Sequence, residues 1–279
     1  MRYIGGHVSI SGGVQNAIDN TLKIGGNSMQ IFAGSPRLWY RKPFSEVETE
    51  KFLTGIKTNN FGPVFIHALY LVNLATDNLG LLEKSMNSLV ADMHNGQLIN
   101  SAGVIVHIGS HQGRGFDTVK DQLVAVIERI LDQTNNIDLI LENDAGQNGK
   151  IGSIEELSYL IDTVKDDRLK ICLDSAHLFE SGCDLRQIKE IDLFVKQLKD
   201  LNLLDRLVCV HLNDSATKLD SHRDMHANIG DGEIGLEGLK NFINHQSLEH
   251  LPLILEVPGE NKSGPDLKNI TLVKGLTEK

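Results

Sequence analysis

Lys170-Ile171-Cys172-Leu173-Asp174-Ser175-Ala176-His177 is the stretch whose reading decides the fold. Ile171 to Leu173 run without the polar alternation of a half-solvated strand, the pattern of a strand buried on both faces. The run stops at Asp174, and His177 follows three residues later. A buried strand has thus brought two metal-ligand residue types to its C-terminal end. The same event recurs: Val64-Phe65-Ile66 ends in His67, Val104-Ile105-Val106 in His107, Leu139-Ile140-Leu141 in Glu142, residues 207–210 in His211, and Leu253-Ile254-Leu255 in Glu256. Six buried strands that each stop at His, Asp or Glu predict one shared site.

Working outward, the apolar periodicity places eight strands, at 3–8, 28–32, 64–67, 104–107, 138–142, around 171–174, 206–213 and 253–256. Helices are predicted over 14–24 (Ala17, Ile18 and Leu22 facing inward), 45–59, 79–101, 117–133, 185–201 and 236–244, with another starting at Ser153. Ser45 with Glu48, and Ser153 with Glu156, have capping-box spacing. A polar tail is expected after residue 256. Strands alternating with helices every 25 to 45 residues or so have the rhythm of βα units. No repeat or interdomain linker interrupts it, so residues 1–279 read as a single domain, close to the roughly 250 residues of a TIM (β/α)8 barrel. Such a barrel collects its chemistry at the C-terminal strand ends, where the polar endings fall. A doubly wound open sheet would focus ligands at one switch point instead.

Lys+Arg 27 against Asp+Glu 37 gives a net charge of −10, which does not advertise a nucleic-acid binder. Three bound divalent ions would bring it to about −4, so the acidity is weak evidence against an anionic substrate. Cys172, Cys183 and Cys209 are odd in number, lack C-x-x-C spacing and read as reduced residues of an intracellular protein. Met1-Arg2-Tyr3-Ile4-Gly5-Gly6-His7 enters a strand with no signal-peptide h-region. No apolar run approaches the roughly 20 residues of a membrane span. The expectation is a soluble cytoplasmic chain, nucleoid-associated in a prokaryote or nuclear in a eukaryote, and monomeric.

Imidazole with carboxylate is a ligand set suited to Zn²⁺, with Mn²⁺ or Fe²⁺ as lesser options. His67, His107, His177, His211 and His226 offer nitrogen; Glu142, Asp174, Asp224 and Glu256 offer oxygen. Nine candidates exceed what one tetrahedral ion can use, which points to a multinuclear site with a bridging carboxylate and a bridging hydroxide. Asp224-Met225-His226 lies in a polar loop where such spacing is common, and the residues alone leave it open between ligands and solvent-facing side chains. His94, His222, His245 and His250 read as solvated. His7 and His111 lie at the rim, placed to contact phosphate or to orient a ligand. Gly230-x-Gly232 follows no strand of a βαβ unit and reads as turn geometry rather than a dinucleotide fingerprint.

Gly5-Gly6-His7-Val8-Ser9, Ser35-Pro36-Arg37-x-Trp39, His107-Ile108-Gly109-Ser110-His111, Leu141-Glu142-Asn143-x-Ala145-Gly146-Gln147, Cys172-Leu173-Asp174-x-x-His177 and His211-Leu212-Asn213-Asp214 occur in one order. With these motifs in register from Tyr3 to about Glu256, the sequence closely resembles the endonuclease IV family of apurinic/apyrimidinic (AP) endonucleases. The resemblance implies a xylose-isomerase-like TIM barrel of AP endonuclease family 2 with three zinc ions, Mn²⁺ being an option at one site. By motif, His67, His107 and bridging Glu142 would hold one ion, Glu142, Asp174, His211 and Glu256 the second, and His177, Asp224 and His226 the third. Arg37 and Tyr70 match loop residues that enter the minor groove of duplex DNA and help extrude the abasic nucleotide. Leu38, Ala68-Leu69 and Ile108 depart from the family pattern without removing a ligand.

The implied reaction is hydrolysis of the phosphodiester 5′ to an abasic site, leaving a 3′-hydroxyl and a 5′-deoxyribose phosphate. A bridging hydroxide is the nucleophile, and Glu142 is the catalytic residue that orients it. Arg37-Leu38-Trp39 supplies a cation and an apolar wedge, the kit of a minor-groove intercalator; the bland alternative is a packed loop. Two rivals stand beside this reading. A sugar isomerase or epimerase on a similar barrel would lean toward oxygen ligands and Mg²⁺ or Mn²⁺. A zinc-bearing DNA-binding scaffold would bind abasic DNA without nicking it.

Overall fold

The structure, a computed structural model, describes residues 2–277. In chain order the strands are β1 (Ile4–His7), β2 (Ser28–Phe32), β3 (Val64–His67), β4 (Gly103–Val106), β5 (Asp138–Glu142), β6 (Leu169–Asp174), β7 (Leu207–His211), β8 (Asp214–Ser215), β9 (His226–Ala227) and β10 (Leu253–Leu255). The helices are α1 (Asn16–Lys23), α2 (Glu46–Thr58), α3 (Leu79–Leu98), α4 (Phe116–Asp132), α5 (Ile154–Val164), α6 (Ser175–Glu180), α7 (Ile188–Asp200), α8 (Gly235–Ile243) and α9 (Leu267–Thr277). Eight strands close into a parallel barrel in the order β1-β10-β7-β6-β5-β4-β3-β2, with β8 and β9 a separate antiparallel ribbon. This is the TIM barrel that the strand rhythm predicts. Closure falls on β1, where Ile4 pairs with Leu253 on one side and Gly5 with Ser28 on the other. A Cβ at Gly5 would lie 1.8 Å from the Ser28 carbonyl oxygen, so only glycine admits that approach.

The period of two along each strand decides what faces the barrel axis. Phe65, Ile105, Ile140, Cys172, Cys209 and Ile254 pack together as an apolar plug, apart from the larger core between sheet and helices. Two residues further along the same six strands come His67, His107, Glu142, Asp174, His211 and Glu256. Alternation therefore turns all six onto the same inner face, one layer above the plug. A one-residue slip would drive each into the helix-facing core.

Several elements depart from the sequence reading. The chain after residue 256 is not a polar tail throughout: α9 packs against β1 and α8 and buries Asn269, Ile270 and Val273. Leu267, Ile270, Val273 and Leu276 recur every three residues there, the spacing of an amphipathic helix, and Leu276 also packs on the core. The short helix α6 is a second departure; all six of its residues are buried, so it has no polar face to mark it as amphipathic. On α1 it is Thr21, not Leu22, that joins Ala17 and Ile18 in the core; Leu22 is exposed, and the Thr21 hydroxyl donates to the Ala17 carbonyl. Other boundaries shift by a few residues, as helix ends and strand ends do.

Both predicted capping boxes form. Glu156 N donates to Ser153 Oγ at 3.3 Å, and Ser153 N donates back to Glu156 Oε2 at 3.0 Å. Ser153→Ala is expected to cost about 1 kcal/mol, lowering the melting temperature by about 2 °C. Thermal unfolding followed by circular dichroism checks this, and an unchanged melting temperature would contradict the assigned cap.

Candidate metal centre

Glu142, at the end of β5, is the hub. Its Oε1 lies 2.7 Å from His211 Nδ1 and 3.7 Å from His177 Nδ1; its Oε2 lies 3.3 Å from His67 Nε2 and 3.5 Å from His107 Nε2. Glu256 Oε2 approaches His211 Nδ1 at 3.4 Å. Asp174 Oδ2 lies 3.4 Å from His226 Nε2, while Asp224 Oδ1 lies 3.2 Å from His177 Nε2 and 3.7 Å from His226 Nε2. The nine side chains singled out from the sequence thus meet at one mouth of the barrel. Their donor atoms form three compact groups: His67 with His107 and Glu142; Glu142 with Asp174, His211 and Glu256; and Asp174 with His177 and His226. Asp174 adjoins the third group as well as the second, and Asp224 flanks that group from the loop joining β8 to β9.

The donor set fits divalent cations. His177 Nε2 and His226 Nε2 are buried without a hydrogen-bond partner, and both face carboxylate oxygens. The rings are also oriented from behind. His67 Nδ1 meets the Ala68 carbonyl at 2.7 Å and His177 Nδ1 the Asn143 carbonyl at 2.9 Å. A carbonyl only accepts, so each Nδ1 carries the proton and Nε2 presents its lone pair to the centre. One further grouping, Cys172, Cys209 and His211, is a poorer cation site. Burial pushes the Cys172 thiol well above its ordinary range, away from the thiolate a metal requires.

Without metal, the charges lean on one another. Burial opposes ionisation of Glu142 and Glu256, but the His211 charge outweighs it and holds both carboxyls well below the usual range. Asp174 and Asp224 are also lowered, against burial, by His177 and His226. Burial pulls His226 down, but Asp174 more than compensates and its pKa rises to about 9. His177, beside Asp174, and His211, beside the Cys172 sulfur and Glu142, are likewise raised well above the ordinary value against burial. Depressed carboxyls add stability above about pH 4, lost in acid; raised histidines add stability in full below about pH 6.5, lost as pH climbs through their folded values. His7, which burial lowers, favours the neutral side of that window. Metal-free protein should therefore melt lower at pH 9 than at pH 6.5, while the increment on adding zinc grows with pH as imidazoles become neutral. Melting scans with and without chelator test this, and a metal-free chain more stable at pH 9 would contradict it.

Sequence reasoning missed much of the support. Gln30, on β2, donates from Nε2 to Glu256 Oε1 at 2.6 Å, and its Oε1 meets His211 Nε2 at 2.8 Å. Its signal was a lone amide inside the apolar run Met29-Gln30-Ile31. Asn213 donates to Asp174 Oδ2 at 2.6 Å and accepts from Glu256 N at 2.8 Å; Asn143 accepts from Asp174 N at 2.6 Å. Asp144 Oδ2 lies 3.4 Å from His107 Nδ1, and Lys150 Nζ bridges Asp144 and Asp224 at 3.3 and 3.5 Å. Glu180 Oε1 accepts from Ser215 Oγ at 2.7 Å and Met225 N at 3.3 Å, tying α6 to the loop that carries Asp224.

Of the rim residues, His7 joins the ring, with Nδ1 3.0 Å from Gln30 Nε2 and 3.5 Å from Glu256 Oε1. His111 faces its own turn instead, Nδ1 accepting from Gly113 N and Gly115 N. Tyr70 is exposed over the ring, its centroid 5.3 Å from that of His67. Arg37 and Leu38 are exposed at the tip of the loop after β2, while Trp39 turns inward against the core. Gly230 and Gly232 donate to the buried Asp214 carboxylate at 3.0 and 3.1 Å, which is turn geometry as the sequence suggests. A mouth of about 250 Å³ opens between Tyr70, His107, His177, Asp224, His226 and Glu256. A groove of about 670 Å³, bounded by His7, Ser9, Phe32, Pro36 and Tyr70, runs beside it.

A barrel of this kind has known counterparts. The family described as xylose isomerase-like TIM barrel matches residues 18–273. A curated relative from Halothermothrix orenii, "Probable endonuclease 4", is 39% identical over 274 residues, 97% of this chain and 99% of that one. The chain belongs to the endonuclease IV family. The crystal structure of endonuclease IV from Thermus thermophilus superposes with a TM-score of 0.86 at 34% identity, covering 98% of each chain. As a member of this family the chain is an enzyme, a hydrolase of the AP-endonuclease type. A D-tagatose 3-epimerase-like protein superposes with a TM-score of 0.72 at 16% identity over 98% of this chain and 95% of that one, which shows a shared fold alone. Among the described residues no helix is long and apolar enough to cross a membrane.

Proposed function

We propose that this single-domain chain hydrolyses the phosphodiester 5′ to abasic sites in duplex DNA, leaving a 3′-hydroxyl and a 5′-deoxyribose phosphate. The observation that carries the reading is Glu142: buried, with both oxygens facing imidazoles from β3, β7, α6 and the end of β4, it is built to be shared between cations. His67, His107 and Glu142 would hold one ion, Glu142, Asp174, His211 and Glu256 a second, and His177, Asp224 and His226 a third. The nitrogen-rich donor set favours zinc. Divalent ions bound there supply Lewis acidity, neutralising phosphate charge and providing a water that is ionised at neutral pH.

The chain's own groups do the rest. Glu142 orients the attacking water. Gln30, Asn143 and Asn213 hold the ligand carboxylates and rings in one rotamer each, so little reorganisation accompanies reaction. Arg37 and Leu38 offer a cation and an apolar tip to the minor groove, and Tyr70 covers the mouth where an extruded abasic nucleotide would lie. Because that nucleotide has no base to unstack, flipping it into the mouth costs little. The three unpaired cysteines support an intracellular setting.

The test is a labelled duplex with one abasic site. Metal-loaded protein is expected to nick it 5′ to the lesion and leave an end that a polymerase extends directly. Binding without nicking favours a DNA-binding scaffold, and turnover of a free aldose without nicking favours an epimerase.

A further inference from the structure

The loop between β2 and α2 carries three cations, Arg37, Arg41 and Lys42, but the fold gives them different fates. Arg37 and Lys42 are exposed, whereas the Arg41 side chain is fully buried with that of Asp92 on α3, its Nε 2.7 Å from Asp92 Oδ1. Arg41 Nη1 also donates to the Ser35 and Leu38 carbonyls, each at 2.9 Å. Those oxygens bracket Arg37, and Leu38 N donates to the same Ser35 carbonyl at 3.2 Å. A Cβ at Gly34 would lie 3.3 Å from Arg41 Nη1, so the turn rests directly on the guanidinium. About one helical turn further along α3, Asn95 accepts from Phe44 N at 2.9 Å and donates to the Lys42 carbonyl at 3.2 Å.

A buried ion pair is weak evidence for stability, since apolar residues of similar volume fill such a space at less desolvation cost. What a hydrophobic pair could not do is hold two loop carbonyls and a carboxylate at once, which the planar fork of arginine does and a lysine does not. We infer that Arg41 and Asp92 are positioning residues that pin the 35–38 turn and so present Arg37 and Leu38 to the substrate strand. The inference rests on the proposed reading of that loop as a DNA contact. Preorganising an exposed turn lowers the ordering cost of binding and leaves the chemical step alone, so its loss should appear in KM.

The experiment replaces the pair together, Arg41→Met with Asp92→Leu, in the full-length metal-loaded protein, so that no charge is left buried alone. Expected are a KM for abasic duplex raised about tenfold, kcat within about twofold of wild type, unchanged metal content, and faster trypsin cleavage after Arg37. Arg41→Lys, which keeps the charge but not the fork, is expected to act in the same direction and serves if the double variant fails to fold. A folded variant with wild-type KM and wild-type trypsin resistance overturns the inference. Arg37→Ala, measured alongside, separates the two levels: if it raises KM and the strut variants do not, the inference fails and the reading stands; if it leaves KM unaltered, the reading fails and takes the inference with it.

Discussion

Glu142→Gln is expected to lower nicking of abasic duplex by on the order of 10³-fold or more at saturating substrate, with the far-ultraviolet spectrum of the folded barrel retained. Glutamine keeps the shape of the side chain and removes its charge. It also replaces one acceptor oxygen by an NH₂ group, which would face either His211 Nδ1 and His177 Nδ1 or His67 Nε2 and His107 Nε2. An amide nitrogen has no lone pair to give a cation, so whichever way it turns one side of the site loses its oxygen donor, and the loss should extend to cation binding and not only to orientation of water. The removed charge leaves buried histidines uncompensated, and a fall in metal-free melting temperature should accompany the kinetic effect. Steady-state nicking assays with a parallel metal determination check this. Retention of wild-type turnover would remove Glu142 from the mechanism.

Exhaustive chelation should have a comparable effect on activity, and its time course carries further information. His67, Glu142, Asp174, His177 and His211 are buried, so exchange of bound ions should be slow and activity should decay over minutes to hours rather than at once. Zinc added back should restore nicking, because the rings are held in place by the Ala68 and Asn143 carbonyls whether or not a cation is present. Indifference of activity to complete metal removal would contradict the scheme.

The strand ends were legible because one rule governs them. An apolar residue facing the barrel axis commits the residue two further on to the same face, so Phe65 predicts the aim of His67, Ile140 that of Glu142 and Cys209 that of His211. The loop residues follow no such rule. Asp224 and His226 converge on the ring because β8 pairs with β9 and because Glu180 and Lys150 hold the intervening loop, contacts remote in sequence. Trp39 turning inward while Leu38 points out could not be read from an aromatic and an apolar neighbour in one loop. Gln30 is a buried amide in a strand with no ligand type at its end, so the strand-end rule does not reach it. α9 carries Leu267, Ile270, Val273 and Leu276 at three-residue spacing, an amphipathic pattern that the polar residues of the preceding stretch obscure.

On the proposed function, imidazoles and carboxylates delivered by six barrel strands, completed by α6 and the β8–β9 loop, form one multinuclear cation site. Elemental analysis of the purified full-length protein tests it most directly. Close to three zinc per chain are expected, with fewer retained by Glu142→Gln. A wild-type protein that refolds from metal-free solution with excess Zn²⁺ and still carries one ion or none would contradict it.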